Sequence, residues 1–242
     1  MDLMDSLVIS AAGMRVAVSQ AIHHSRHRHA FGGPLADKPA MRAVLADLAV
    51  ESEAATALAL RLAGAVDRRE DAFRRLAIAA GKYWVCKRQP AVVGEALECL
   101  GGNGYVEESG LPRLYRDAPL NSIWEGSGNV QALDALRTLR RDPDSLAAFL
   151  AEASAAAGAD RRLDDAVDGL KGLLADPDEG QARRIVEQMA LVLQGSLLVR
   201  YAPPATADAF CAGRLAGDPG RAFGTLPRGL DLAAVIGRAA PA

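Results

Sequence analysis

Glu125 is the residue of this chain best placed to act as a general base. It follows Trp124 and precedes a flexible turn at residues 126–129, after which an apolar helix begins. A carboxylate beside an indole ring is desolvated, which raises its pKa toward the range useful for proton abstraction. The glycines let a ligand approach the backbone, and the N-terminus of the new helix favours anionic groups. The same residues also suit a plain turn with an N-cap, so both interpretations stay open.

A second candidate site is residues 23–29, which contain all four histidines and two arginines. His23 and His27 are one helical turn apart, a spacing that can bind zinc, but no carboxylate or thiolate lies nearby to complete a site. We therefore predict no metal. Arg28 could offer a bidentate fork to a phosphate. A solvated basic helix end and a phosphate-binding strip are equally compatible with these residues.

The glycine-rich stretch 101–105 is a third candidate, because successive backbone N–H groups can hold a phosphate. It follows a helix and not a strand, so it is not a dinucleotide-binding fingerprint, and a helix C-cap explains its first glycine equally well. In the polar stretch of about 20 residues that follows, we expect Arg113 or Arg116 to pair with Asp117 and fix the loop.

Composition favours an all-helical intracellular protein. Half of the 242 residues are apolar, aromatics make up only 5%, and the formal charge of −2 argues against a globally basic nucleic-acid binder. The three cysteines are far apart, which predicts a reduced, cytoplasmic setting. No signal layout or membrane-spanning apolar run is present, so we predict no membrane partner.

Hydrophobic periodicity predicts the elements that position these residues. Four long helices should form an antiparallel four-helix bundle, with Pro90 kinking or splitting the third; their ranges are 3–29, 39–66, 71–100 and 128–140. Asp142-Pro143-Asp144 marks a boundary, and shorter helices follow at 145–157, 163–174 and 181–199. After Pro204 we expect one or two short helices and a frayed end. The predicted fold is therefore all-α, with a bundle domain at 1–141 and a helical extension at 142–242.

Taken together, these segments resemble the C-terminal domain of acyl-CoA dehydrogenases. Four family motifs occur in order: R-x-x-F-G at 28–32, G-G-x-G-[FY] at 101–105, R-D at 116–117 and aromatic-E-G-[ST] at 124–127. The stretches 86–88, 107–116 and 121–129 look most like the alkylation-response (AidB-type) branch, which also carries a helical extension. The resemblance therefore covers nearly the whole chain and weakens past Pro204.

The resemblance implies a flavoprotein that uses FAD to dehydrogenate acyl-CoA thioesters. Glu125 matches the base that removes the α-proton, and it is expected in a water-poor crevice near the Gly-Gly bend and Arg28. The other matched positions contact FAD, in part from a neighbouring subunit of a homo-oligomer (dimer or tetramer); they are Arg28, Phe31, Gly101, Gly102, Ser127 and Asn129. Pro39 and Glu98 stand where many members have glutamine, so fewer contacts to the cofactor are expected than in those members.

Family members also carry an N-terminal helical domain and a middle β-domain before this bundle, whereas the present sequence starts at the first bundle helix. The resemblance therefore predicts a truncated member, the second half of a split gene or a decayed copy, with an upstream-encoded partner supplying the β-domain if the gene is split. We expect the chain alone to turn over acyl-CoA poorly or not at all.

Two other functions remain open. One is a module that binds or protects double-stranded DNA, as the alkylation-response branch does through its extension. Residues 143–242 carry 10 basic against 13 acidic side chains, although Arg161-Arg162 and Arg183-Arg184 could still form a stripe. The other is a catalytically inactive oligomerisation remnant without flavin.

Overall fold

Long α-helices dominate the chain, and the computed structural model describes residues 2–217, 220 and 222–241. The N-terminal helices are α1 (Leu3–His27), α2 (Pro39–Asp67), α3 (Asp71–Cys99), α4 (Gly102–Tyr105), α5 (Leu111–Asp117) and α6 (Gly128–Arg141). The C-terminal helices are α7 (Pro143–Ala153), α8 (Arg161–Ala175), α9 (Ala182–Tyr201), α10 (Pro204–Phe210) and α11 (Leu232–Ala239). A small antiparallel hairpin joins β1 (His29–Ala30) to β2 (Gly33–Pro34). The predicted all-α fold is confirmed.

Local sequence signals set the helix ends. A capping box starts α1, where the Asp2 and Asp5 side chains each accept a hydrogen bond from the other residue's backbone N–H at 2.9 Å. Pro39 occupies the first turn of α2, where its missing N–H costs nothing. Of the kink or split predicted for α3 at Pro90, the split is wrong, because α3 continues through this residue as one helix. Packing on several sides stabilises it against the lost hydrogen bond.

The bundle helices alternate in direction, as in an antiparallel four-helix bundle. Ser10 of α1 donates a hydrogen bond to Cys86 of α3 at 3.3 Å, and Leu7 lies against Gly81, so α1 and α3 run in parallel. Between α6 and α3, the Asp134 carboxylate pairs with Arg75 at 2.8 Å. Since Gly128 lies against Lys87, these two helices run in opposite directions.

The helices after Asp142 share the core of the bundle. Helix α7 packs on α3 and α6, α9 packs on α2, α3 and α6, and α11 packs on α2. Buried apolar residues from both parts form one continuous cluster, including Leu48, Phe149, Leu193 and Val235. The predicted short helices beyond Pro204 are α10 and α11, while Ala242 of the expected frayed end lies outside the described residues.

The stretch between α3 and α6 differs from the predicted polar loop. It contains α4, α5 and 3₁₀ turns at Glu107–Ser109 and Ala118–Ser122. The expected pair with Asp117 is also wrong, because the Arg116 guanidinium binds the Glu107 carboxylate at 2.7 Å. Turns this short lack the length over which helical periodicity can be recognised in a sequence.

Gly104 of α4 lies directly against the last turns of α3. A Cβ added at Gly104 would lie 2.1 Å from the carbonyl oxygen of Leu97, which is backbone and cannot rotate aside. We therefore expect Gly104→Ala to lower the free energy of unfolding by about 1–3 kcal/mol, measured by urea unfolding. Gly102→Ala is the matched control, since a Cβ there would meet nothing within 4 Å. Equal losses in the two variants would contradict the steric explanation.

Within the described part of the chain, no helix combines the length and the apolar character needed to cross a membrane.

Candidate functional site

The backbone of the Glu125 turn has an unusual conformation. Glu125 has a φ of +54° and Gly126 a φ of +103°. The left-handed region costs a non-glycine residue free energy, so such a residue persists only where its surroundings fix it. Strain of this kind clusters at functional sites. The Glu125 turn is therefore a candidate functional site.

A buried lysine fixes this turn from below. Lys82 of α3 is 1% exposed, and its Nζ donates to the carbonyl oxygens of Trp124 at 2.8 Å and Gly126 at 2.5 Å. The carbonyl oxygen between them, that of Glu125, accepts from Gln131 Nε2 at 2.9 Å. Three successive carbonyls are therefore held by side chains, and this accounts for the strained conformation.

Neither Lys82 nor Gln131 was among the sequence-predicted site residues. Burial lowers the pKa of Lys82, while the nearby Cys86 and Glu125 favour its charged form. The available signal was one lysine inside the apolar run Leu76–Tyr83. A lysine is almost never fully buried unless its charge is paired or hydrogen-bonded.

The Glu125 side chain does not lie where the sequence suggested. It is exposed, and Trp124 is itself 40% exposed, so the expected desolvation by the indole ring is wrong for this chain. The reason lies in the backbone: the carbonyls of the turn point at Lys82 and Gln131. With the polar backbone facing the helices, the carboxylate is left facing outward.

The turn leads directly into the N-terminus of α6. Ser127 is exposed and is the N-cap residue, but its hydroxyl makes no capping hydrogen bond. Asn129 is also exposed, and its Oδ1 accepts a hydrogen bond from Arg183 Nε of α9 at 2.7 Å. Ser127 is therefore available to a ligand, whereas Asn129 already holds the extension against α6.

Arg28 and Phe31 follow the C-terminal end of α1, whereas the Glu125 turn is held near the level of its N-terminal end. Arg28 lines a groove of about 650 Å³ with His23, His24, His27 and Leu100. Burial, Arg28 and His23 together lower the pKa of His24. The neutral imidazole can then accept as well as donate hydrogen bonds.

Phe31 stands at the tip of the β1–β2 hairpin. It is 89% exposed and has a φ of +52°, with Gly32 at +82°. Positive φ at both central residues is the geometry of a tight type I′ turn, in which a phenylalanine is strained. Lys38 Nζ donates to the Phe31 carbonyl at 2.8 Å and fixes the tip. An apolar ring is thus presented to solvent on a strained support.

Gly101 and Gly102 form an open bend after α3. Gly101 has a φ of +59° and a ψ of −140°, a conformation that favours glycine, and a Cβ at either position would meet nothing within 4 Å. Gly101 lines a cavity of about 1020 Å³ that also contains Glu98, Glu107 and Glu108. The bend is open to a ligand's approach, but its surroundings are acidic.

The two groups of predicted site residues are far apart within one chain. Lys82, which holds the Glu125 turn, precedes the end of α3 at Cys99 by 17 residues, or roughly 25 Å along the helix axis. Arg28 and Leu100 share one groove, which places the Gly-Gly bend at this far end. The expected single crevice shared by Glu125, the bend and Arg28 is therefore wrong within one chain.

These residues fit an anionic dinucleotide such as FAD at two places. The groove beside Arg28 offers a guanidinium and imidazoles, and the N-terminus of α6 offers an unused N-cap hydroxyl beside free N–H groups. The bend at Gly101 fits less well, because its carboxylates repel phosphate. Among residues 2–217, 220 and 222–241, no cluster of three or more metal-ligating side chains is present.

Comparison with known proteins places this geometry in a family. A profile described as the C-terminal domain of acyl-CoA dehydrogenases matches residues 6–139. The putative acyl-CoA dehydrogenase AidB of Escherichia coli (strain K12) is 46% identical over 214 residues, which are 86% of this chain and 39% of AidB.

Solved structures show the same fold. The crystal structure of Caenorhabditis elegans ACDH-11 in complex with C11-CoA matches with a TM-score of 0.73 at 27% identity, covering 90% of this chain and 43% of that one. An acyl-CoA dehydrogenase from Bacillus anthracis complexed with FAD has a TM-score of 0.66 at 18% identity, covering 86% and 45%. The chain thus spans less than half the length of these relatives.

Proposed function

Because the chain belongs to the acyl-CoA dehydrogenase family, we propose that it supplies the catalytic base and part of the FAD contacts of an enzyme that oxidises acyl-CoA thioesters to trans-2-enoyl products. The observation that carries this proposal is the Glu125 turn. Lys82 and Gln131 hold it in a strained conformation at the position of the family's base motif. A fixed backbone is what a general base needs to meet one particular proton.

In this proposal Glu125 accepts the α-proton of the thioester on a carboxylate oxygen. When bound, FAD supplies the hydride acceptor, a chemistry that belongs to the cofactor. Lys82 and Gln131 orient the turn through its carbonyls, Ser127 contacts FAD beside the base, and Asn129 does so while bonded to Arg183. Trp124 and Glu125 are both exposed in this chain. In the completed enzyme the β-domain would cover them and exclude water.

The distance between the two groups of residues supports a homo-oligomer, as a dimer or tetramer. Arg28, Phe31, Gly101 and Gly102 of one copy would contact the FAD whose reactive end faces Glu125 of another. The exposed ring of Phe31 is suited to burial in such an interface. We also propose that a β-domain from a partner or a longer chain completes each site. Residues 1–141 are proposed as the bundle domain and 142–242 as its helical extension, and the protein is proposed to be cytoplasmic.

The proposal is tested by replacing Glu125 in the completed enzyme. The full chain is co-expressed with a polypeptide that supplies the family's β-domain, and anaerobic flavin bleaching by isovaleryl- or butyryl-CoA is recorded. We expect Glu125→Gln to slow flavin reduction by a factor of about 10²–10⁴ while the flavin spectrum persists. The chain alone should turn over little, because Glu125 is open to water.

Glu179→Gln is the matched control, since Glu179 is an exposed carboxylate in the segment between α8 and α9. Unchanged reduction in Glu125→Gln would remove this residue from the mechanism. Robust reduction by the chain without a β-domain would contradict the need for one.

Binding to double-stranded DNA stays a prediction with less support, as does membership of an alkylation response. Two of the four arginines expected to form a stripe on the extension are engaged elsewhere, while Arg161 and Arg184 are exposed. Arg162 pairs with Asp160 at 2.6 Å and Asp208 at 2.8 Å, and Arg183 bonds to Asn129. A steep salt dependence of duplex binding would support this function.

A further inference from the structure

A cavity of about 840 Å³ lies where the extension meets the bundle, and it shares no lining residue with the Arg28 groove or the Glu125 turn. Its walls come from α1, α2, α7, α9 and α11, so neither part of the chain forms it alone. Most of its polar lining consists of arginines: Arg15, Arg61, Arg68, Arg200 and Arg238. The carboxylates in the lining are Glu53 and Glu152.

The positive charge of this cavity is not balanced by its own ion pairs. Three carboxylates serve four of the arginines, since Glu152 binds both Arg61 and Arg200, Glu70 binds both Arg61 and Arg68, and Glu53 binds Arg238. The distances are 2.8 Å (Arg61–Glu152), 2.7 Å (Arg200–Glu152), 2.8 Å (Arg61–Glu70), 2.7 Å (Arg68–Glu70) and 3.1 Å (Arg238–Glu53).

Arg15 of α1 has no ion pair with any described carboxylate. Five guanidinium groups against three carboxylates leave an excess of two positive charges. A concave, partly desolvated site with excess charge concentrates counter-ions of opposite sign. The guanidinium fork is in addition the side chain best suited to phosphate oxygens.

The cavity also presents flat and apolar surface beside the arginines. Tyr201 is 70% exposed, the Arg200 guanidinium lies 4.6 Å from its ring centroid, and the Tyr201 hydroxyl accepts a hydrogen bond from Arg200. Leu60 lies in the wall that α2 contributes to the cavity, and it is 69% exposed. A stacked tyrosine and an exposed leucine offer contact area to a planar ring.

We propose that this cavity binds a nucleoside di- or triphosphate, with the phosphates on the arginines and the base against Tyr201. The ligand would contact α2 of the bundle and α9 and α11 of the extension together, and so link the two. This site does not depend on the proposed dehydrogenase function, because its lining contains neither Glu125 nor any residue proposed to contact FAD.

Calorimetric titration of the full chain with ATP tests this site at low ionic strength. Arg15→Gln is the decisive variant, because Arg15 forms no ion pair within the described part of the chain and its loss should leave the fold intact. We expect ATP to bind about tenfold more weakly to this variant, the size of one charge-assisted hydrogen bond. Tyr201→Leu should weaken ATP while leaving inorganic pyrophosphate unchanged. Unfolding curves confirm that each variant is folded.

Two matched controls locate the ligand. Arg161→Gln removes an exposed arginine of α8, whose side chain is 92% exposed, and it should leave ATP affinity unchanged. Arg28→Gln removes the arginine of the groove proposed for FAD, and a loss of ATP binding in this variant alone would place ATP in that groove instead. The proposal is overturned if ATP gives no binding heat, if Arg161→Gln weakens binding as much as Arg15→Gln, or if only Arg28→Gln does. Binding of coenzyme A without binding of ATP would overturn it as well.

Discussion

Replacing Arg214 by methionine is expected to lower the free energy of unfolding by about 3–5 kcal/mol. Arg214 lies in the π-helical segment Cys211–Leu215. Its guanidinium binds the carboxylate of Asp47 at 2.5 Å and that of Glu51 at 3.0 Å. Both acids are buried in α2. Removing the arginine would leave two buried carboxylates without their main counter-charge.

The effect of Arg214→Met should depend on pH. Burial opposes ionisation of Glu51, but Arg214 and Arg88 outweigh it, so the pKa of Glu51 lies below its usual value of 4.5. A carboxyl group with a lowered folded-state pKa stabilises the protein above the unfolded-state value, and this contribution is lost as the pH falls through the folded-state pKa. The difference between wild type and variant should therefore be largest near neutral pH and shrink below about pH 4.5.

Urea unfolding of both proteins at neutral and acidic pH measures this difference. Arg116→Met is the matched control, because Arg116 and its partner Glu107 are both well exposed and exposed pairs contribute little. If Arg116→Met and Arg214→Met lose the same stability, or if the loss at Arg214 does not vary with pH, the buried ion cluster is not what joins the extension to the bundle.

The long helices could be predicted from the sequence because each carries its own evidence. Apolar residues recur at helical spacing through α1, α2, α3 and α6. Pro39 stands in the first turn of α2, and glycines follow α1 and α3 and precede the body of α6. Short elements lack this evidence. The turns of the 106–122 stretch are each only a few residues long. The choice of Glu107 as the ion-pair partner of Arg116 depends on tertiary structure.

The interactions that join distant segments could not be predicted either. Arg214 is 163 residues from Glu51, and nothing local in the sequence distinguishes it from a solvated arginine. The Glu125 motif was identified, but the burial expected for its side chain was wrong. Desolvation by a sequence neighbour requires that both side chains face the interior, whereas Lys82 and Gln131 draw the backbone inward instead.

This same arrangement explains why the predicted site residues do not meet within one chain. The Glu125 turn is fixed near the middle of α3, and Arg28 and the Gly-Gly bend lie at its end, roughly 25 Å away along the helix. A rigid bundle cannot bring these positions together, because its helices are packed side by side over their whole length. Any ligand that needs both must take them from two copies or reach across the bundle surface.

Replacing Lys82 by methionine is expected to release the Glu125 turn and to lower the free energy of unfolding by about 2–4 kcal/mol. Methionine fills much of the same space but leaves the carbonyls of Trp124 and Gly126 without their donor, and an unsatisfied buried acceptor costs about 1–3 kcal/mol. Relief from burying an ammonium group offsets part of this cost. The strained φ of Glu125 should then relax, since only Gln131 still holds the turn.

Amide hydrogen exchange over peptides spanning 118–131 measures this release directly, because it separates local opening from global unfolding. In Lys82→Met, these amides should exchange faster than the change in global stability accounts for. Lys87→Met is the matched control on the same helix: its Nζ lies 5.7 Å from the Tyr83 ring centroid and is not hydrogen-bonded to the turn's carbonyls in the described structure. Equal protection of the turn in both variants would show that Lys82 does not fix it, and the strain at Glu125 would then need another cause.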